Sequence, residues 1–268
     1  MDVLVPVLTM AGLGFLFSTG LVLAYKKLRV YADPKIEKIS EALPQANCGA
    51  CGYSGCRAFA EALVEGKAEP NSCTVGGEDV VNQVAEILGV KAGEVIKKLA
   101  RLHCRGSHEA AKDRGAYLGI STCLAAHLLG GNKQCSYGCL HFGDCARVCP
   151  FDAIYMGKEG LPIVIEEKCT ACGKCVDACP KNLFELHPVS QEIIVFCRSL
   201  DRGAPSRKAC KNACIACGIC ARACPDAIIM ENYLAVITDY RKIDPEKIPD
   251  VEKCPTGAIG RLEKDNEG

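Results

Sequence analysis

Tryptophan is absent from this chain of 268 residues, and aromatic side chains make up only 6% of it. So few large rings argue against one large apolar core and for several small modules held by another kind of staple. Net charge is absent as well, because 32 Lys and Arg offset 32 Asp and Glu. That balance gives no footing to nucleic-acid binding, which shows as a basic excess. No Gly-rich dinucleotide fingerprint follows a strand, and no nucleophile and base stand in a recognisable pattern, so no organic cofactor is expected. A cleavable export signal is also missing. Positive charge does not precede the first apolar run, and no small-residue cleavage site follows it.

What the chain has in abundance is cysteine, 21 in all. A disulfide scaffold would account for abundance alone. The count is odd, however, and the cysteines sit in tight Cys-x2-Cys runs, which favours metal-ligating thiolates. Such thiolates need a reducing compartment, so the part that carries them is expected in the cytoplasm.

From Val3 to Tyr25 the chain carries no charge. At 1.5 Å per residue that run reaches about 34 Å, enough for a hydrocarbon core of about 30 Å. Asp2 precedes it and Lys26, Lys27 and Arg29 follow. The asymmetry predicts a single pass through the cell (inner) membrane, with the amino terminus outside and the remainder cytoplasmic. Gly12, Gly14 and Gly20 offer a small-residue face to a neighbouring helix. Asp33-Pro34 then reads as a helix start, and Ile36, Ile39 and Leu43 form one apolar stripe as far as Pro44.

The first cysteine constellation is Cys48-x2-Cys51-x4-Cys56-x16-Cys73. Four thiolates suit a [4Fe-4S] cube, one per iron. Gly49, Gly52 and Gly55 let the loop close around a cube and turn backbone N–H groups towards sulfur. Zinc also accepts four cysteines, but zinc sites usually pair two Cys-x2-Cys units and this one has a single unit. Arg57 to Val64 reads as a helix. Residues 78–102 read as helical with a break near Gly89, in a packing role.

The strongest signal is Cys169-x2-Cys172-x2-Cys175-x3-Cys179-Pro180. This is the bacterial ferredoxin run, in which three cysteines hold one cube and the fourth holds its neighbour. Two further copies exist, one with Cys135, Cys139, Cys145, Cys149 and Pro150, the other with Cys214, Cys217, Cys220, Cys224 and Pro225. Repetition of this kind is a domain signature. In the earlier copy Phe142 stands where the later one has Cys217, so Cys135 is taken as the stand-in. Crossed pairing predicts one cluster on Cys135, Cys139, Cys145 and Cys179, and another on Cys149, Cys169, Cys172 and Cys175. Cys254-Pro255 resembles the end of a fourth run that lacks its three preceding cysteines. One cube is therefore expected on Cys214, Cys217, Cys220 and Cys254, and the cube that Cys224 would share is expected to be lost.

Four clusters are predicted. Cys104, Cys123, Cys197, Cys210 and Cys224 stay open between free thiols, added ligands to another cube, and a fifth site. Cys210, in the place equivalent to Cys135, competes with Cys217 as a ligand. The histidines, His103 and His108 among them, are left without a role. The expected fold class is α+β: an N-terminal transmembrane helix, a small helical 4Fe-4S module, then tandem bacterial ferredoxin-like βαβ domains. The boundaries are an anchor at 1–25, a connector helix at 26–46, the 4Fe-4S module at 47–77 and a helical linker at 78–122. Ferredoxin-like domains follow at 123–196 and 197–262, with a polar tail at 263–268.

This order of parts, with VYADPKIEKISEALPQANCGACGYSGC, the distant Cys73 and the segment CSYGCLHFGDCARVCPFDAI, resembles the B subunit of the Rnf electron-transport complex in its polyferredoxin form. The resemblance covers nearly the whole chain. It implies a membrane complex, similar to a sodium-pumping NADH dehydrogenase, that couples ferredoxin oxidation, NAD reduction and transport of sodium ions or protons. It further implies that this subunit takes electrons from soluble ferredoxin and passes them to subunits carrying flavins and the nicotinamide site. On that reading the chain is part of a translocase and carries no bond chemistry of its own. The first module, nearest the anchor, is the expected exit. The missing cysteines before Cys254 depart from the fuller family pattern. A rival reading is the same kind of subunit in a hydrogenase-linked or quinone-linked membrane complex. A redox sensor or metal store would need one labile centre and an output domain, and neither is visible.

Overall fold

The computed structural model describes residues 4–28 and 33–262, so Asp2, Arg29 and the expected polar tail at 263–268 lie outside the described residues. Helix α1, Leu4–Leu28, holds 25 residues and runs past the expected end at Tyr25 through Lys26 and Lys27. At 1.5 Å per residue it is about 37 Å long. Leu4, Leu8, Phe15, Phe17, Leu21 and Leu23 all point into open space. A helix apolar all round, with no protein about it, is suited to lipid.

Helix α2, Pro34–Ala42, starts as its sequence suggests. Asp33 accepts the Lys35 N–H at 2.8 Å and Pro34 takes the first turn, a cap worth about 1 kcal/mol. It packs on α3, Cys56–Val64, and α4, Gly77–Leu88. Ile39, Leu43, Phe59, Leu63 and Val84 fill the space between them. Gly89, at φ 73°, closes α4 in the left-handed conformation that glycine adopts without strain.

Beyond Gly89 the expected helix does not resume. Lys98–Leu102 form strand β1 instead, antiparallel to β4, Phe184–Pro188, with Leu99 opposite His187 and Arg101 opposite Glu185. Leu99, Ala100 and Arg101 are all buried. A partner more than 80 positions away decides the conformation, and a local pattern does not see it.

Residues 98–102 thus belong to the first ferredoxin-like module rather than to a helical linker. After β1 come α5, Cys123–Leu128, and α6, Asp144–Arg147. The hairpin of β2, Ile154–Met156, and β3, Pro162–Val164, follows, then α7, Lys174–Ala178, and β4. The second module repeats the plan. Strand β5, Ile193–Val195, pairs with β8, Ile259–Arg261. Between them lie α8, Gly203–Ala209, α9, Ile219–Ala223, the hairpin of β6, Ile228–Glu231, and β7, Leu234–Ile237, and α10, Ile248–Val251. Residues 193–196, expected at the end of the first ferredoxin-like domain, therefore open the second.

Every sheet among the described residues has two strands. Such pairs are marginal alone, so the modules depend on what their cysteines hold. Arg105 fastens the two modules. Its N–H donates to Phe196 O at 3.2 Å, its guanidinium lies 3.9 Å over the Phe196 ring, and Nη1 donates to Gly257 O at 3.3 Å.

Candidate metal centres: cysteine quartets in file

The three ferredoxin runs fold around one local device. Gly143, Gly173 and Gly218, at φ 74°, 81° and 70°, turn the chain into α6, α7 and α9. Two residues earlier His141, Ala171 and Ala216 are also left-handed, at φ 68°, 55° and 55°. Non-glycine residues in that region carry strain, which the surrounding structure must impose. Its recurrence marks a turn that aims cysteines inward. After it come Cys172 and Cys217 in two runs and Phe142 in the other.

Three predicted quartets come together. Cys48, Cys51, Cys56 and Cys73 line one cavity beside Phe59. Asn47 Oδ1 accepts the Cys56 N–H there at 2.9 Å, and a Cβ on Gly55 would stand 2.8 Å from that oxygen. Cys214, Cys217, Cys220 and Cys254 line a second cavity. Cys149 and Cys169 pack in the cluster that holds Cys175, and burial, then the charges of Cys169, Cys172 and Cys149, pushes its thiol up to about 12.

The fourth quartet differs from the expectation. Cys139, Cys145 and Cys179 share their cavity with Cys123, not with Cys135. Cys123 opens α5, and its N–H and that of Leu124 donate to Asp144 Oδ2 at 2.8 and 3.2 Å. Asp144 opens α6, which carries Cys145. One carboxylate thus joins two helix starts and swings Cys123 to the side where Phe142 supplies no sulfur. Cys135 is held elsewhere by backbone bonds. Gln134 N–H donates to Lys112 O at 2.8 Å and Arg114 N–H to Asn132 O at 2.7 Å, while Lys112 N–H donates to Ala209 O at 3.1 Å.

Cys135 accordingly lines a cavity with Cys104, Cys197 and Cys210. Spacing along the chain leaves the last three without an assignment. The missed signal is a repeat within the repeat. Cys104-Arg105 follows β1 as Cys197-Arg198 follows β5, and Cys135-x3-Cys139 matches Cys210-x3-Cys214. The halves also match in hydrogen bonding, with Gly106 N–H to Cys104 Sγ and Ser199 N–H to Cys197 Sγ, both at 3.4 Å. Lys133, its side chain 2% exposed and 2.9 Å from Asp113, sets a cation against Cys210, opposing the upward push of burial on that thiol. Cys224 joins no quartet among the described residues. It packs with Ile243, Ile248 and Val251, apolar side chains from the stretch that lacks the fourth run's cysteines.

None of the 21 cysteines is joined in a disulfide. Burial, then neighbouring thiolates, pushes Cys145 up to about 12 and Cys220 to about 11. Burial pushes Cys139 to about 12 and Cys197 to about 11. Four buried thiols ionise together only if a metal supplies the balancing charge. Ala153 N–H reaches Cys149 Sγ at 3.3 Å and Leu183 N–H reaches Cys179 Sγ at 3.5 Å, the hydrogen bonds that ligating sulfur accepts. All-sulfur donors in apolar cavities fit [4Fe-4S] clusters.

Neighbouring quartets lie within electrostatic reach of one another. Cys214 N–H donates to Cys197 Sγ at 3.3 Å. Cys104 senses the charge of Cys139. Cys145 senses Cys175, and Cys172 senses Cys48. These four junctions arrange the quartets in a file from the second module, through the first, to the helical module that follows α1.

Known families match this pattern. The family described as "Putative Fe-S cluster" matches residues 43–75, and families described as "4Fe-4S dicluster domain" match residues 133–184 and 168–228. The chain is 48% identical to the B subunit of the Na+-translocating ferredoxin:NAD+ oxidoreductase complex of Acetobacterium woodii, over 96% of this chain and 77% of that protein. It is 42% identical to the B subunit of the proton-translocating ferredoxin:NAD+ oxidoreductase complex of Clostridium ljungdahlii, over 94% of this chain and 89% of that one. The B subunit of the ion-translocating oxidoreductase complex of Methanosarcina acetivorans is 38% identical over 75% of the chain and 77% of its own length. Similarity of that extent, joined to the 4Fe-4S domains, makes this chain an iron–sulfur protein that belongs to the family of B subunits of the Rnf ion-translocating oxidoreductase complexes.

Proposed function

We propose that the chain is the electron-transfer subunit of an Rnf-type complex, taking electrons from soluble ferredoxin and relaying them to membrane and flavin-bearing subunits during ion-translocating ferredoxin:NAD oxidoreduction. The reaction is the one named for its relatives from Acetobacterium and Clostridium. The observation that carries the reading is the file of cysteine quartets, each within electrostatic reach of the next.

Five ligand sets follow from that file. They are Cys48, Cys51, Cys56 and Cys73; Cys149, Cys169, Cys172 and Cys175; Cys123, Cys139, Cys145 and Cys179; Cys104, Cys135, Cys197 and Cys210; and Cys214, Cys217, Cys220 and Cys254. A bound [4Fe-4S] cluster supplies a one-electron carrier, with no substrate bond made or broken. The chain's residues order these positions, keep water away and set the local charge. Cys217, the exposed cysteine of the terminal quartet, marks the end that meets ferredoxin. The helical module that follows α1 holds the end facing the membrane. Lys26 and Lys27 at the close of α1, and the need of thiolates for a reducing medium, favour the cytoplasmic side for the modules.

Replacing Cys51 with Ala in the assembled complex tests the order. The quartets beyond the helical module stay reducible by ferredoxin, while electron delivery to the flavin-bearing subunits falls at least tenfold. Equal loss of both signals defeats the order.

A further inference from the structure

We propose that His103, Glu185 and His187 form a metal site of a second kind, taking one divalent transition ion such as zinc. No cysteine contributes to it. β1 and β4 pair with Arg101 opposite Glu185, and the ladder continues to His103, whose N–H donates to Leu183 O at 2.7 Å. Alternation along both strands puts His103, Glu185 and His187 on one face. Nε2 of His103 lies 2.9 Å from Nε2 of His187, and Glu185 Oε2 lies 3.4 and 3.3 Å from those two atoms.

The hydrogen bonds behind the rings fix what these atoms present. Val195 O lies 2.7 Å from His103 Nδ1, so that nitrogen carries the proton of its ring. Gln191 Nε2 donates to Ile193 O at 3.2 Å, which leaves Gln191 Oε1, 3.0 Å from His187 Nδ1, to accept from it. Both Nε2 atoms therefore turn lone pairs towards each other and towards a carboxylate oxygen. Three acceptors that close repel one another unless a cation lies among them. A tetrahedral ion with bonds of about 2.0–2.1 Å holds its ligand atoms about 3.3 Å apart, which matches the two N···O separations, while the two nitrogens at 2.9 Å stand closer. A ring N–H bonded to a carbonyl oxygen is also what orients a ligating histidine. Glu185 Oε1 is engaged by Arg198, which leaves Oε2 as the single ligating oxygen.

Two imidazoles and one carboxylate select zinc or iron(II) over magnesium or calcium. The His103 side chain is 7% exposed and that of Glu185 46%, so an ion enters from the glutamate side. Bound there, it ties the last strand of the first module to residues 191–195, which lead into the second, through the hydrogen bonds behind the two rings. The site is a staple at the seam between modules.

The full chain, purified anaerobically with its clusters, is given equimolar zinc and desalted. Zinc, iron and sulfide are counted, and zinc X-ray absorption reads the ligands. About one zinc per chain is expected, with nitrogen and oxygen neighbours and imidazole scattering. His187→Ala and Glu185→Gln lower its affinity at least tenfold with iron and sulfide unchanged. Gln191→Leu, which leaves all three ligands in place, weakens binding by about 10–100-fold, and it decides the matter should either ligand variant lose its iron. Sulfur neighbours around the zinc, equal retention by wild type and Gln191→Leu, or no retained zinc overturns the proposal. The last result would leave a shared proton as the cation between the rings.

Discussion

Single residues decide which sulfurs meet. Phe142 occupies a cysteine's place in the first run, and Asp144 brings Cys123 in from another element to the same quartet. Cys123→Ser and Cys135→Ser should therefore each disturb a cluster, but different ones. Spin-resonance spectra of the reduced variants check this, and identical spectra would contradict it. Cys224→Ala should leave iron and sulfide unchanged, because that thiol packs among apolar side chains. Glu166 is the partner of Arg101, whose side chain is 8% exposed, at 2.6 Å. Glu166→Ala strands a buried cation and should lower stability by about 3 kcal/mol in denaturant titration. Three quartets were legible in the sequence because each sits mostly in a spacing of two, three or four residues. The quartet of Cys104, Cys135, Cys197 and Cys210 was not. Its members come from four separate segments, joined by backbone bonds among 112, 134 and 209 that no spacing records.

At the scale of elements, the sequence was most readable where local chemistry governs. Asp33-Pro34 caps α2 as its residue types require, and Asp33→Ala should cost about 1 kcal/mol. Gly89 stops α4 where the sequence predicts a break. Local chemistry misleads at β1, a strand whose partner lies far along the chain. The stretch KKLARL suits a helix by composition and becomes a strand because β4 offers it a ladder and the core takes Leu99. Leu99→Ala removes a side chain only 1% exposed and should cost about 2–5 kcal/mol. Amide hydrogen exchange should then rise on β4 as well as on β1. A rise confined to residues 98–102 would contradict the pairing.

For the whole molecule, two modules of one plan are joined through residues 103–106 and 195–198, and the fifth quartet is built across that seam. Neither module alone supplies its four thiols, since Cys104 and Cys135 come from the first and Cys197 and Cys210 from the second. The seam quartet thereby links the terminal quartet to those beside the helical module, and without it the file is broken. The central claim is that five quartets, not four, hold clusters. It is tested most directly by iron and acid-labile sulfide per chain in anaerobically purified wild type and Cys104→Ser. About twenty irons in the first and about sixteen in the second are expected, four irons to a cube. About sixteen in both would contradict the account.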